Sequence, residues 1–451
     1  MSTQEIMVSA GAAASEAALD REATIMCPPV ALRIRALLSH VQARRAALTL
    51  TDQVAVSGTN FVTTVLLGRF CLQEELGLYA LGFSLVLLLG GAANALVWMP
   101  YMFNSPHQRN GRRLRFTGSV TIHMALFCLL TAVGLGVAAA LTAIRGEHPE
   151  LSGLFAVLAV AGSLMLFREY MRRVYLAQMR PGRALLLNVG MAGIQLAGLA
   201  TVMRRGMLSS HSAYWVIGAS CALLTAAWLV TERTRMKVCW HAVVPDWRRN
   251  WKTGRWIFAG SMVRLVSTDI YPWLLAAFHG LPAVAVLAAA RGVIVFANPL
   301  LLGIGNFAGP FAAHACADHG LRGLRQRVFW GTVAIAAIMG TFCAAVFMWG
   351  ADVMELLFGS RYAGQAGVVR ALALGQLVEA MCIPVGLGLL VAQRANYELI
   401  GAVVQLAAMV SAGLWLVWHF GPAGVGYGSA VAYLATGIIG WIGFERTIRR
   451  A

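Results

Sequence analysis

Five charged residues fall inside stretches that are otherwise apolar: Asp52, Arg264, Asp269, Arg291 and Glu379. A charge at the centre of a bilayer costs about 2.5–3.5 kcal/mol on insertion scales, so each needs a partner or a wet cavity. Arg264 and Arg291 have the chemistry of a cationic lumen, because a planar guanidinium matches phosphate or diphosphate oxygens two at a time. Internal pairing with Asp269 or Asp52 is their alternative. The acids Asp52, Asp269 and Glu379 are candidates for ion coupling, since an apolar setting favours the neutral carboxyl and so lets a group take up and release a proton. A fixed counter-ion or an interfacial cap is the other reading of each. Arg69, beside Glu74 and Glu75, reads as an interface anchor.

Uncharged polar residues in the same stretches extend the candidate site. Ser57, Thr59, Asn60, Thr63, Thr64, Asn94, Asn298, Asn306, Gln376 and Gln405 could line a sugar-accepting path, with Asn60 and Asn298 taken as substrate-binding candidates. Hydrogen bonding between helices explains many of them equally well. Covalent chemistry has little support. The run His314-x-Cys316-x-Asp318-His319 fits no strong zinc spacing. A phosphate loop needs Gly-Lys-Ser/Thr, whereas Trp251 precedes Lys252-Thr253. No nucleophile elbow stands out. The expectation is a non-enzyme with no catalytic residue, metal or cofactor, and His123 as a packed histidine.

The elements that must position these residues are membrane spans. With 59% hydrophobic and 12% charged residues, the 451-residue chain is far outside the range of a soluble domain. Spans of roughly 20 apolar residues fit at 47–70, 76–100, 116–144, 151–168, 184–203, 212–231, 256–279, 282–310, 328–350, 366–392, 398–420 and 423–445. The expected fold class is all-α: a polytopic membrane protein of about twelve helices.

Charge orients these spans. Arginines occupy alternate gaps: Arg109 to Arg115, Arg168 to Arg183, Arg233 to Arg255, Arg322 to Arg327, Arg394, and the tail Arg446 to Arg450. By the positive-inside rule these gaps are cytoplasmic, as are both termini, and the protein belongs in a bacterial inner membrane. The net charge of +17 is spread over these short loops, which argues against nucleic acid as a partner. Arg204, Arg205 and Arg361 depart from the pattern. The eight cysteines form no Cys-x-x-Cys pair, and only Cys71 falls near the outer surface, so no structural disulfide is expected.

Residues 1–46 read as a disordered N-terminus, lacking the continuous apolar core of a signal peptide, followed by an interfacial helix from Val30 to Ala47 that suits an anionic lipid leaflet. The span pattern then divides into a six-helix bundle over 47–231, a cytoplasmic linker over 232–255, a second six-helix bundle over 256–445, and a tail over 446–451. Spans one and two overlay spans seven and eight at an offset of about 208–210 residues. Parallel repeats of this kind place a transport site between the halves.

The first two spans are more specific. Thr51-Asp52-Gln53-Val54-Ala55-Val56-Ser57-Gly58-Thr59-Asn60-Phe61, then Gly68-Arg69-Phe70, Glu75, Gly77-Leu78-Tyr79-Ala80 and Pro100, resemble the opening block of bacterial polysaccharide flippases. These are the Wzx-like members of the multidrug/oligosaccharidyl-lipid/polysaccharide exporter superfamily. The close match covers about the first quarter of the chain. The resemblance implies two bundles in a V that rock about a central cationic cavity. It also implies ion-driven transfer of an undecaprenyl-diphosphate-linked oligosaccharide between leaflets, for exopolysaccharide or O-antigen assembly beside polymerase and export proteins. Carried over by position, it points to Arg264 and Arg291, with Asp269 as a neighbouring acid. A cation-coupled multidrug exporter of the same superfamily is the alternative. A membrane polymerase or ligase is a third reading, disfavoured by the short outer gaps.

Overall fold

The computed structural model describes residues 29–449 other than 107, 109, 147, 393 and 395. At 29–46, 49–50, 110, 253, 256–257, 259–260, 262–268, 298–319 and 398–399 it describes the backbone alone. Among these residues every regular element is helical. A chain this apolar has no other way to satisfy its backbone within a bilayer short of a closed barrel.

The first six helices are α1 (Pro29–Phe70), α2 (Gln73–Ala93, through a π turn at Asn94–Trp98 to Met99–Asn104), α3 (Asn110–Arg145), α4 (Pro149–Ala177), α5 (Pro181–Arg204) and α6 (Ser210–Glu232). Then come α7 (Trp240–Asp269), α8 (Tyr271–Ile294), α9 (Asn298–Phe358), α10 (Ala366–Val391), α11 (Asn396–Ala408, through a π turn at Met409–Gly413 to Leu414–Phe420) and α12 (Pro422–Arg449). Two of these turn back on themselves at a glycine. Gly280 in α8 has φ +78° and Gly320 in α9 has φ +63°, a left-handed conformation that costs glycine little. Each leg then belongs to a different column. Ten stretches among the described residues are long and apolar enough to cross a membrane, and α1 and α7 run beside them. The chain is therefore an all-α polytopic membrane protein.

Two spans and the stretch between the halves differ from their sequence reading. Span seven was expected unbroken over 256–279, but the helix stops at Asp269 and restarts at Tyr271. The cause is Pro272, which cannot donate to the preceding turn. The stretch 232–255 was expected as a linker. Only Arg233–Arg235, a single 3₁₀ turn, and the extended residues after it have that character, because α7 already begins at Trp240. Span four was expected to end near Arg168, yet α4 continues to Ala177 and carries Arg168, Arg172 and Arg173 as helical residues.

Packing recurs between the two sets of six. In the first set α1 lies on α5, α3 on α4, and α4 on α6. In the second, α7 lies on α11, α9 on α10, and α10 on α12. The sets meet where α2 runs along α8. One end of the molecule carries the arginine-bearing turns after α4, α6 and α10; we call it the arginine-rich face.

Candidate functional site

A cavity of about 300 Å³ opens where α1, α2 and α8 converge on the break after α7. Ser57, Asn60 and Thr64 enter it from α1, spaced i, i+3, i+7 and so on one helical face. Tyr79, Phe83 and Ser84 enter from α2. Asp269 enters from the last residue of α7, at the interruption that Pro272 imposes, and Arg291 enters from the second leg of α8. Asp269 acts electrostatically on Arg291. The polar groups of the walls are therefore hydroxyls, one amide, one arginine and one carboxyl, set among aromatic rings and apolar side chains such as Leu87, Val284 and Leu287.

Arg291 also lines a second cavity of about 410 Å³, inside the second set of helices. There it shares the lining with Tyr271, Gln376, Glu379, Ser429 and Tyr433. Gln376 Nε2 donates to Glu379 Oε2 at 3.1 Å, and the Tyr433 phenol faces the same chamber. The Tyr271 hydroxyl is buried with no hydrogen-bond partner among the described groups. Two chambers therefore meet at one guanidinium.

Of the residues singled out from sequence, Asn60, Asp269 and Arg291 come together in the first cavity, and Glu379 joins Arg291 in the second. Asp52 lines neither. It is fully buried among α1, α4 and α5, where Arg172 Nε donates to Oδ2 at 2.7 Å and Asn188 Nδ2 donates to Oδ1 at 2.5 Å. Arg172 also donates to Glu169 at 2.8 Å, Arg173 to Glu169 at 3.0 Å, and Arg168 to Asn188 at 2.8 Å. Asp52 thus has the geometry of a fixed counter-ion. Its partner is an arginine that the charge pattern alone would assign to a loop. The spacing Arg168-Glu169-x-x-Arg172-Arg173 holds the signal: i, i+3 and i, i+4 pairs on one helix. Thr63, one turn along α1 from Asn60 but outside the cavity lining, accepts from Gln195 Nε2 at 2.9 Å. The side chains of Arg264, Asn298, Asn306 and the run from His314 to His319 lie outside the described residues, as do residues 1–28.

The first cavity is shut at the face opposite the arginine-rich one. A Cβ at Gly77 of α2 would lie 2.2 Å from the Leu281 carbonyl oxygen, so only glycine lets α2 approach α8 this closely. Phe358 of α9 fits against Gly68 and Gly292, where added Cβ atoms would lie 2.5 and 3.0 Å from its ring. Arg69 donates to the Leu356 carbonyl at 2.7 Å, Arg361 to the Cys71 carbonyl at 2.5 Å, and Gln73 to the Arg361 carbonyl at 3.0 Å. Arg69, expected as a lipid-interface anchor, thus reaches across to α9.

Cys71 reports on this closure. Its thiol is buried between α1 and α2 and donates to the Leu208 carbonyl at 3.3 Å. Burial, then the nearby Glu75 carboxylate, push it up to about 11. The thiolate is the reactive form, so closure suppresses both access and nucleophilicity. Gly77→Val should drive α2 off α8. In a chain whose other cysteines are serine, maleimide labelling of Cys71 at neutral pH should then rise roughly 100-fold, the thiolate gain from about two pKa units. An unchanged rate in a stably folded variant would show that this contact does not close the cavity.

No protein-family model and no curated protein matches the chain. Solved structures do match along nearly all of it. It is similar to a multidrug resistance MATE family transporter of the MOP superfamily in an inward-facing conformation, with 14% identity, 90% of this chain and 98% of that chain covered, and a TM-score of 0.67. It is similar to the lipid II flippase MurJ in an inward closed conformation, with 12% identity, 90% and 89% coverage, and a TM-score of 0.69. A MOP superfamily transporter from Pyrococcus furiosus, described by a reverse polarity of its binding pocket, aligns at 13% identity over 91% and 95%, with a TM-score of 0.60. The fold is the one these MOP superfamily proteins share. Drug exporters and a lipid-linked flippase both use it, so the fold by itself leaves the substrate to the chemistry of the cavity.

Proposed function

We propose that the chain is a flippase that moves an undecaprenyl-diphosphate-linked oligosaccharide across the bacterial inner membrane for exopolysaccharide or O-antigen assembly. The observation that carries this reading is the first cavity. Arg291 supplies a diphosphate-matching cation, while Ser57, Asn60 and Thr64 supply the hydroxyl and amide groups a sugar needs. The two sets of six helices act as bundles that alternately expose the cavity to each leaflet. In this reading the arginine-rich face is cytoplasmic, both termini lie there, and polymerase and export proteins receive the product. Glu379 and Asp269 take the coupling proton or sodium ion. Arg264 and Asn298 are retained as further substrate contacts. Asp52 is assigned to structure instead, because its two oxygens are already engaged by Arg172 and Asn188.

The test is to measure which leaflet holds the lipid-linked intermediate in a deletion strain. Accumulation in the inner leaflet, relieved by re-expression, is the expected outcome. Normal delivery to the outer leaflet without the protein would refute the reading.

A second reading, a cation-coupled multidrug exporter, is favoured by one specific feature: Phe61, Tyr79 and Phe83 sit beside Asp269 in the same cavity. Aromatic faces with a carboxylate suit a lipophilic cation. Changed drug susceptibility in a deletion strain that still makes normal polymer would select it.

A further inference from the structure

The first half of α7 has three faces. The inner face docks on the first set of helices. His123 Nε2 of α3 donates to the Val243 carbonyl at 2.9 Å, and Asn104 Nδ2 at the end of α2 donates to Asn250 Oδ1 at 3.1 Å. A Cβ at Gly254 would lie 2.8 Å from the Ala95 carbonyl oxygen. These contacts step from α3 to α2 close to where α2 ends, so the segment crosses the arginine-rich ends of two spans as a strap.

The other two faces are exposed among the described residues. Trp240, Val244 and Trp251 are 72%, 57% and 43% exposed and fall on one line, spaced i, i+4 and i+11.

 Beside that line stand Arg248, Arg249 and Lys252, all exposed and none in an ion pair among the described residues. An apolar edge with tryptophan next to a basic edge is the pattern of a helix lying in the headgroup plane.

We propose that residues 240–252 form an interfacial helix that binds the phosphates of anionic phospholipids through Arg248, Arg249 and Lys252, with Trp240, Val244 and Trp251 in the acyl boundary. The charge on this face selects anionic over zwitterionic lipid. Because α7 continues to Asp269 in the cavity, lipid on the strap bears on the element that carries a cavity acid. The inference stands apart from any choice of transported substrate.

The test uses the full chain in nanodiscs of phosphatidylcholine, alone or mixed with phosphatidylglycerol, and reads hydrogen exchange over 240–252. Slower exchange in the mixture is expected. In R248Q/R249Q/K252Q the phosphatidylglycerol needed for half-maximal protection should rise roughly 100-fold, at about 1 kcal/mol for each basic side chain. Trp240→Ser with Trp251→Ser should lower protection in both lipids. Equal exchange of the parent chain in the two lipids would overturn the proposal. So would protection that follows protein concentration instead of lipid, which would assign the face to a second copy.

Discussion

Arg291→Ala is expected to abolish transport while the chain still folds and inserts. The guanidinium lines both cavities, and truncating one partner of a buried charge-assisted contact costs about 2–5 kcal/mol. The middle of that range is a loss of roughly 100-fold or more in substrate affinity. Arg291→Lys should recover only part of it, since an ammonium cannot present two parallel donors to a diphosphate. The measurement is outer-leaflet delivery of lipid-linked intermediate at matched protein level. Normal delivery by Arg291→Ala would remove the cationic cavity from the mechanism.

Arg172→Met should act on stability instead. Arg172 is 7% exposed and joins Asp52 on α1 to Glu169 on its own helix. Breaking a buried pair by removing one partner costs about 3–5 kcal/mol, because the other charge stays buried and uncompensated. Asp52→Asn should cost less than Arg172→Met, since Glu169 still neutralises the arginine. The double variant should be less destabilised than the two single losses summed, by the coupling of the pair. Thermal unfolding of the four proteins in one detergent checks this. Strict additivity would show that Asp52 and Arg172 do not depend on each other.

These two arginines show what could be read from sequence. Arg291 stood out because it interrupts an apolar run, and that local signal survives folding. Arg172 sits in a cluster that also satisfies a topology rule, so its pattern was ambiguous. Its partner is 120 residues away, and no local spacing reports a contact between α1 and α4. The spans were legible because a bilayer demands length and apolarity from each one separately. Ser57, Asn60 and Thr64 were legible as polar residues, and their i, i+3, i+7 spacing already placed them on one face. The break at Asp269 was missed although Pro272 signals it, because hydropathy continues unbroken across the interruption. The second cavity was not legible: Arg291, Glu379 and Tyr433 come from three helices whose meeting depends on the packing of α8 and α10 against α12.

The closed face has one further consequence. Its cross-links end on the main-chain carbonyls of Leu356, Cys71 and Arg361, and its wedge is the ring of Phe358 held in two glycine recesses. A main-chain carbonyl keeps its lone pairs at any physiological pH, and a phenyl ring carries no charge to screen. None of these cross-links or the wedge therefore depends on a group that changes its charge near neutral pH. On the proposed ion-coupled reading, the ionic signal would be received deeper inside, at Asp269 and Glu379, and would reach this face only as a movement of helices.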